Sequence, residues 1–204
     1  MLTENLTYKK VILILFKDFS TEHTITSLAK FAKISRVGAW KILKKLEHEG
    51  LIELNPLGDG KTSAYMVHLR WENPILAKIL ILFLAQEASK YKRWAFDFSD
   101  LEDKVEFMIL FGSVLFSFKD ANDIDILCVA KEKDIGNLED TVLNIQKTQN
   151  KKIHSISFTK KELKQELKEK NRALIDAVKK GIALFGQENY VNFMKEVHRH
   201  EFGN

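Results

Sequence analysis

Asp123 and Asp125 stand on either side of Ile124 at the head of an apolar run that reaches position 130. Side chains alternate along a strand, so the two carboxylates share one face. Asp125 lies between Ile124 and Ile126, where an ionised group is costly without a partner. Upstream, Phe111-Gly112-Ser113 follows a largely apolar segment, 105–111, and nine residues then lead to Asp123. The order reads strand, turn, short helix, strand. Gly112 would let the backbone approach phosphate oxygens, and Ser113 would offer them a hydroxyl and an N–H. A carboxylate pair close behind a Gly-Ser turn suits Mg²⁺ bridging to the phosphates of a nucleotide. Asp123 and Asp125 are therefore the candidate metal-binding and catalytic residues, and Gly112 and Ser113 the candidate nucleotide-binding residues.

The N-terminal third has a different pattern. Thr7 opens a first helix through Phe16, Thr24 or Thr26 caps a second through Ala32, and Ser35 caps a third to about His48. In the third, Ala39, Ile42, Leu43 and Leu46 recur at helical spacing, while Arg36, Trp40, Lys41, Lys44 and Lys45 occupy the other face. Gly50 ends that helix and 51–54 begin a strand. Residues 55–61 have turn chemistry, and 64–69 return as a second strand. Three short helices followed by a hairpin make a winged helix. Ile34-Ser35-Arg36, through Lys44-Lys45-Leu46-Glu47-His48-Glu49-Gly50-Leu51-Ile52, resembles the recognition helix and first wing strand of the MarR-like winged-helix families.

Charge agrees with that reading. Residues 1–70 hold 11 Lys and Arg against 7 Asp and Glu, whereas 71–204 hold 21 against 21, so the whole excess of +4 lies in the first third. Such asymmetry points to a polyanion, here double-stranded DNA. A basic helix face fits the major groove, and Lys61 at the hairpin tip would touch a phosphate. The DNA-binding candidates are Ser35, Arg36, Trp40, Lys41, Lys44, Lys45 and Lys61. The bland alternative is that the lysines form a solvated face of a protein-contact domain.

Pro74 opens a connecting element whose residues 75–90 are apolar on nearly all sides, so burial all round is expected. Two arrangements satisfy this: a helix clamped between domains, or a homodimer formed through it. The apolar region 75–85 is interrupted by Lys78 and falls short of the ~20 residues of a membrane span. Lys9 and Lys10 precede only a short apolar stretch, unlike a signal peptide. The single cysteine, Cys128, excludes an intrachain disulfide and reads as a small buried residue. A cytoplasmic location without membrane contact is expected.

Residues 105–186 resemble the minimal nucleotidyltransferase domains of the DNA polymerase β superfamily, especially small stand-alone archaeal forms. The matching stretches are Phe111-Gly112-Ser113, Asn122-Asp123-Ile124-Asp125-Ile126-Leu127, Ile153-His154-Ser155-Ile156-Ser157-Phe158-Thr159 with Lys161-Glu162-Leu163, and Gly181-Ile182-Ala183-Leu184-Phe185-Gly186. The resemblance implies that Gly112 and Ser113 hold the triphosphate of an NTP while Asp123 and Asp125 hold Mg²⁺. It also implies nucleotide transfer to a hydroxyl of a small molecule or of a protein acceptor, such as a toxin partner.

Two departures bear on activity. The run after Gly-Ser, Val114-Leu115-Phe116-Ser117-Phe118, is apolar and lacks the family's glycine and basic residues. The strand 152–158 lacks the third carboxylate of active members. His154 stands near its position and can accept a proton at neutral pH, but imidazole is a poor substitute for a hard Mg²⁺ ligand. The expected fold is α+β, with a winged helix at 1–70, a connecting helix at 71–100, and a polymerase β-type nucleotidyltransferase domain with a small mixed sheet at 101–204. Two functions stay open: a nucleotidyltransferase tied to DNA, or a non-catalytic transcription regulator whose second domain senses nucleotide or serves as an interaction surface. A last helix is expected at about 188–198, and His198 and His200, spaced by one residue, read as a solvated tail rather than a metal site.

Overall fold

Local caps punctuate the chain where the sequence supplies them. The computed structural model describes residues 6–58 and 64–202, and its contacts divide the chain into two units, Met1–Phe83 with His198–Asn204, and Leu84–Val197. Both are built of helices and small sheets, an α+β composition.

The first unit begins with α1 (Leu6–Lys17), α2 (Ile25–Ala32) and α3 (Arg36–His48). Of the two candidate threonines, Thr24 is the cap. Its Oγ1 accepts from Ser27 N at 3.2 Å, and Ser27 Oγ accepts from Thr24 N at 2.8 Å, a reciprocal capping box. Ser35 Oγ accepts from Gly38 N at 3.0 Å and starts α3. Gly50 (φ 69°) turns the chain out of α3 in the left-handed region that glycine adopts freely. Tyr8, Val11, Ile12 and Phe16 of α1 are buried, as are Leu28, Ala39, Leu43 and Leu46.

The antiparallel hairpin of β1 (Ile52–Leu57) and β2 (Ala64–Leu69) follows. Here the structure corrects the first part of the expected turn at 55–61, of which 59–61 lie outside the described residues. Asn55 pairs with Met66 and Pro56 with Tyr65, so β1 continues through the proline. A strand with one neighbour has an open edge, where a residue lacking an N–H breaks no ladder bond.

Next comes α4 (Pro74–Ala88). Asn73 Oδ1 accepts from Ile75 N at 2.9 Å and satisfies one of its first donors. Within the single chain the helix is not buried all round. Leu76, Ile79, Leu80, Phe83 and Leu84 are buried, but Ile75 and Leu82 are 57% and 45% exposed. With Lys78 and Ala85 they form one outward stripe. The helix also stops short of Lys90, giving way to a 3₁₀ turn (Ser89–Tyr91) and α5 (Lys92–Asp97).

The second unit contains a four-stranded mixed sheet, ordered β5-β4-β3-β6, from β3 (Phe107–Phe111), β4 (Asp123–Val129), β5 (Lys152–Phe158) and β6 (Ile182–Phe185). β3 runs antiparallel to β4 and β6, whereas β4 and β5 are parallel. A parallel pair needs a crossover, which α6 (Ile135–Gln146) supplies. Met108, Leu110, Ile124, Ile126 and Cys128 pack with Trp94, Phe98, Leu138 and Val142. Burial pushes the Cys128 thiol up to about 12, which keeps it protonated and inert.

Three helices complete the chain, α7 (Lys160–Lys168), α8 (Arg172–Lys180) and α9 (Gln187–Phe202). Thr159 and Asn171 cap the first two. Phe107 packs its ring 5.2 Å from Tyr190 and 5.4 Å from Phe193 of α9. For His198 the expected solvated tail is corrected, because the same helix extends past position 198 and His198 is buried in the first unit; the side chain of His200 lies outside the described residues. His198 Nε2 lies 3.0 Å from Phe16 O, and its ring lies 5.2 Å from Trp71. No helix among the described residues is long and apolar enough to cross a membrane.

Candidate functional site

Strand parity assembles the first site. Ile124 and Ile126 are buried and their neighbours Asp123 and Asp125 are half-buried, so the carboxylates leave the sheet on the face opposite the isoleucines. Parallel pairing sets Asp123 against Lys152 and Asp125 against His154. Register partners project to the same face, and the imidazole reaches both acids. His154 Nδ1 is 3.1 Å from Asp123 Oδ2 and 3.6 Å from Asp125 Oδ1. One ligand atom from each of the three lies within 4.8 Å of the others, a grouping able to hold a metal ion.

Asp125 is the most enclosed member. Burial, and then the neighbouring Asp123 carboxylate, raise its carboxyl above the usual range, while His154 acts the other way. Its partner in β3 is Phe111, immediately before Gly112. Gly112 (φ 81°) bends the chain there in a conformation that favours glycine. A β-carbon on Gly112 would overlap Asp125 Oδ2 and stand 3.0 Å from its Cγ. Glycine at this position thus serves two ends, the turn itself and room for the carboxylate. Ser113 is exposed at the start of the 3₁₀ turn Ser113–Leu115.

All four residues predicted from the sequence meet in this region, Gly112 and Asp125 in direct apposition. His154 completes it. The sequence marks His154 as a proton acceptor and a poor substitute for a hard Mg²⁺ ligand; its position opposite Asp125 makes it a third donor. Lys152 is exposed, and its register with Asp123 brings a cation to the face of the site. The parity of 152–158 was readable beforehand, but which acid each residue would face was not.

The second candidate site is the outer face of α3. Ser35, Arg36, Lys41, Lys44 and Lys45 are exposed. Lys44 Nζ is 2.7 Å from Glu47 Oε2 and lies 4.9 Å from the centre of the Trp40 ring. Trp40 is half-buried and packs on Tyr65 of β2 at 5.6 Å, so it braces the helix against the hairpin. Val37, 65% exposed, shares the helical row of Lys41, Lys44 and His48 and adds an apolar residue at the N-terminal end of the basic face. The sequence reading passed over Val37 because an isolated valine carries no charge signal. Lys61 lies outside the described residues.

No protein-family model matches the chain, and searches of curated proteins and of solved structures gave no match.

Proposed function

We propose that this is a DNA-associated protein whose second unit binds a nucleoside triphosphate together with a divalent cation, in the manner of a minimal nucleotidyltransferase. The observation that carries the reading is the convergence of Asp123, Asp125 and His154 beside the positive-φ Gly112. Helices and a hairpin in the first unit follow the order of a winged helix, and the mixed sheet of the second suits the polymerase β-type fold.

The donor set fits a divalent cation: two carboxylates and one imidazole, half-buried or exposed, with ligand atoms already gathered. Asp123, Asp125 and His154 would hold it. When bound, the ion would supply positive charge that neutralises and orients phosphate oxygens. Gly112 brings backbone close to Asp125, Ser113 offers a hydroxyl to the triphosphate, and Lys152 replaces the basic residues missing after the Gly-Ser turn. On α3, Arg36, Lys41, Lys44 and Lys45 meet backbone phosphates, while Val37 meets a base edge such as a thymine methyl.

Calorimetric titration with ATP and GTP, each with a divalent cation, tests the nucleotide site. Equal binding by the parent and by Asp123→Asn/Asp125→Asn would reject it. A second reading, nucleotide sensing without transfer, is favoured by one observation: the grouping contains no third carboxylate among the described residues. Incubation with labelled NTPs and cell extract separates the two. Label on an acceptor supports the enzyme, and binding without label supports the sensor.

A further inference from the structure

We infer that this site selects a first-row transition ion over Mg²⁺, with His154 Nδ1 as the third protein ligand. The inference rests on the divalent-cation reading above and deepens it. Its argument comes from donor chemistry and spacing. Mg²⁺ is a hard ion that keeps its waters and takes carboxylate or phosphate oxygens in strict octahedral geometry. Imidazole is a ligand of transition ions, whose affinity for nitrogen rises from Mn²⁺ towards Cu²⁺.

The spacing suits direct ligation. Neighbouring ligands of an octahedral ion with bonds of about 2.1 Å stand about 3 Å apart, by simple geometry. His154 Nδ1 and Asp123 Oδ2 are already 3.1 Å apart, and Asp125 Oδ1 is 3.6 Å from the same nitrogen. The remaining pair, the two carboxylate oxygens, lies within 4.8 Å, so closure of Asp125 would bring the set to octahedral spacing. The imidazole is not placed by chance rotation alone, since the β4–β5 register sets its α-carbon directly opposite that of Asp125. Gly112 leaves Asp125 Oδ2 no room to retreat if a side chain were present, and with glycine the carboxylate fits. Three donors from two adjacent strands therefore face one point, and one of them is nitrogen.

The direct test uses Mn²⁺ as the probe on the full-length chain. Electron spin echo measurements on the Mn²⁺ complex should show modulation from a coordinated ¹⁴N, and that signal should disappear in His154→Ala and in His154→Asp. Competition between Mn²⁺ and Mg²⁺ gives the second readout. The Mn²⁺ preference of the parent should fall at least about tenfold in His154→Asp, the smallest loss that removing even an outer-shell partner of a metal brings. A parent complex without nitrogen modulation, or a Mn²⁺/Mg²⁺ preference unchanged in His154→Asp, overturns the inference. Neither measurement contains nucleotide, so the two readings fail separately. Nitrogen-coordinated Mn²⁺ without NTP binding defeats only the nucleotide proposal. NTP binding through an all-oxygen ion site defeats only this one.

Discussion

His154 faces Asp125 directly across the parallel β4–β5 pair, and its Nδ1 lies nearer to Asp123 Oδ2, at 3.1 Å, than to Asp125 Oδ1, at 3.6 Å. The imidazole thus bridges two acids that occupy alternate positions of one strand. Like charges this close oppose each other's ionisation, and a cation between them relieves that repulsion. The first prediction follows from removing the charges.

Asp123→Asn/Asp125→Asn keeps the side-chain volumes and deletes both negative charges. Cation-dependent NTP binding should vanish in calorimetry while the circular dichroism spectrum stays that of the parent. Ser113→Ala should be milder, weakening binding by about 0.5–1.5 kcal/mol, the net worth of one neutral hydrogen bond. Lys152→Ala removes a charged contact and should cost more, about 1.5–3 kcal/mol.

Gly112→Ala should destabilise the second unit, because alanine at φ 81° is strained and its methyl group overlaps the Asp125 carboxylate. At φ 81° and ψ −166° the backbone part alone is worth about 1–3 kcal/mol. Urea unfolding should show a smaller loss for the same change in an Asp125→Ala background, since the overlap is then gone. Equal losses in both backgrounds would mean that the carboxylate does not press on position 112.

Duplex DNA binding should weaken as salt rises, through counterion release. Lys41→Ala/Lys44→Ala/Lys45→Ala should lower affinity for all sequences and flatten the slope of log affinity against log salt by up to about 3, roughly 0.9 for each lost phosphate contact. Val37→Ala should instead alter discrimination between sequences and leave the salt slope unchanged. Fluorescence anisotropy at several salt concentrations reads both. A triple variant that binds as the parent does would remove α3 from the interface.

Stability of the first unit should depend on His198. Burial is the main reason that its pKa is lowered to about 4; the nearby His23 and His68 act in the same direction, and the Phe16 carbonyl opposes them. An unfolded histidine titrates near 6.5, so between these values the unfolded chain binds the extra proton. The contribution is therefore complete above about pH 6.5 and is lost as pH falls towards 4, by roughly 3 kcal/mol at most. Urea midpoints at pH 7 and pH 4.5 should diverge more for the parent than for His198→Gln, which keeps a hydrogen-bonding side chain and removes the titration.

Much of the architecture was legible because it depends on neighbours in the chain. Thr24, Ser35, Thr159 and Asn171 cap helices through bonds to residues two or three positions away. Such interactions are present whichever way the rest of the molecule folds. Strand parity is equally local, so Asp123 and Asp125 had to share a face, and the lysines of α3 had to stand opposite Ala39, Leu43 and Leu46. The structure decided what lies across from those faces. The β4–β5 register gave Asp125 its imidazole partner, and packing against Phe16 and Trp71 buried His198 where its position near the end of the chain had suggested solvent. It also left Ile75 and Leu82 outward in the single chain, on a helix whose composition calls for burial all round, and it carried β1 through Pro56 because that strand has an open edge. The physical reason is common to all four. Periodicity and capping state how a segment folds and which side of it is apolar, whereas register and burial depend on segments that meet only after folding.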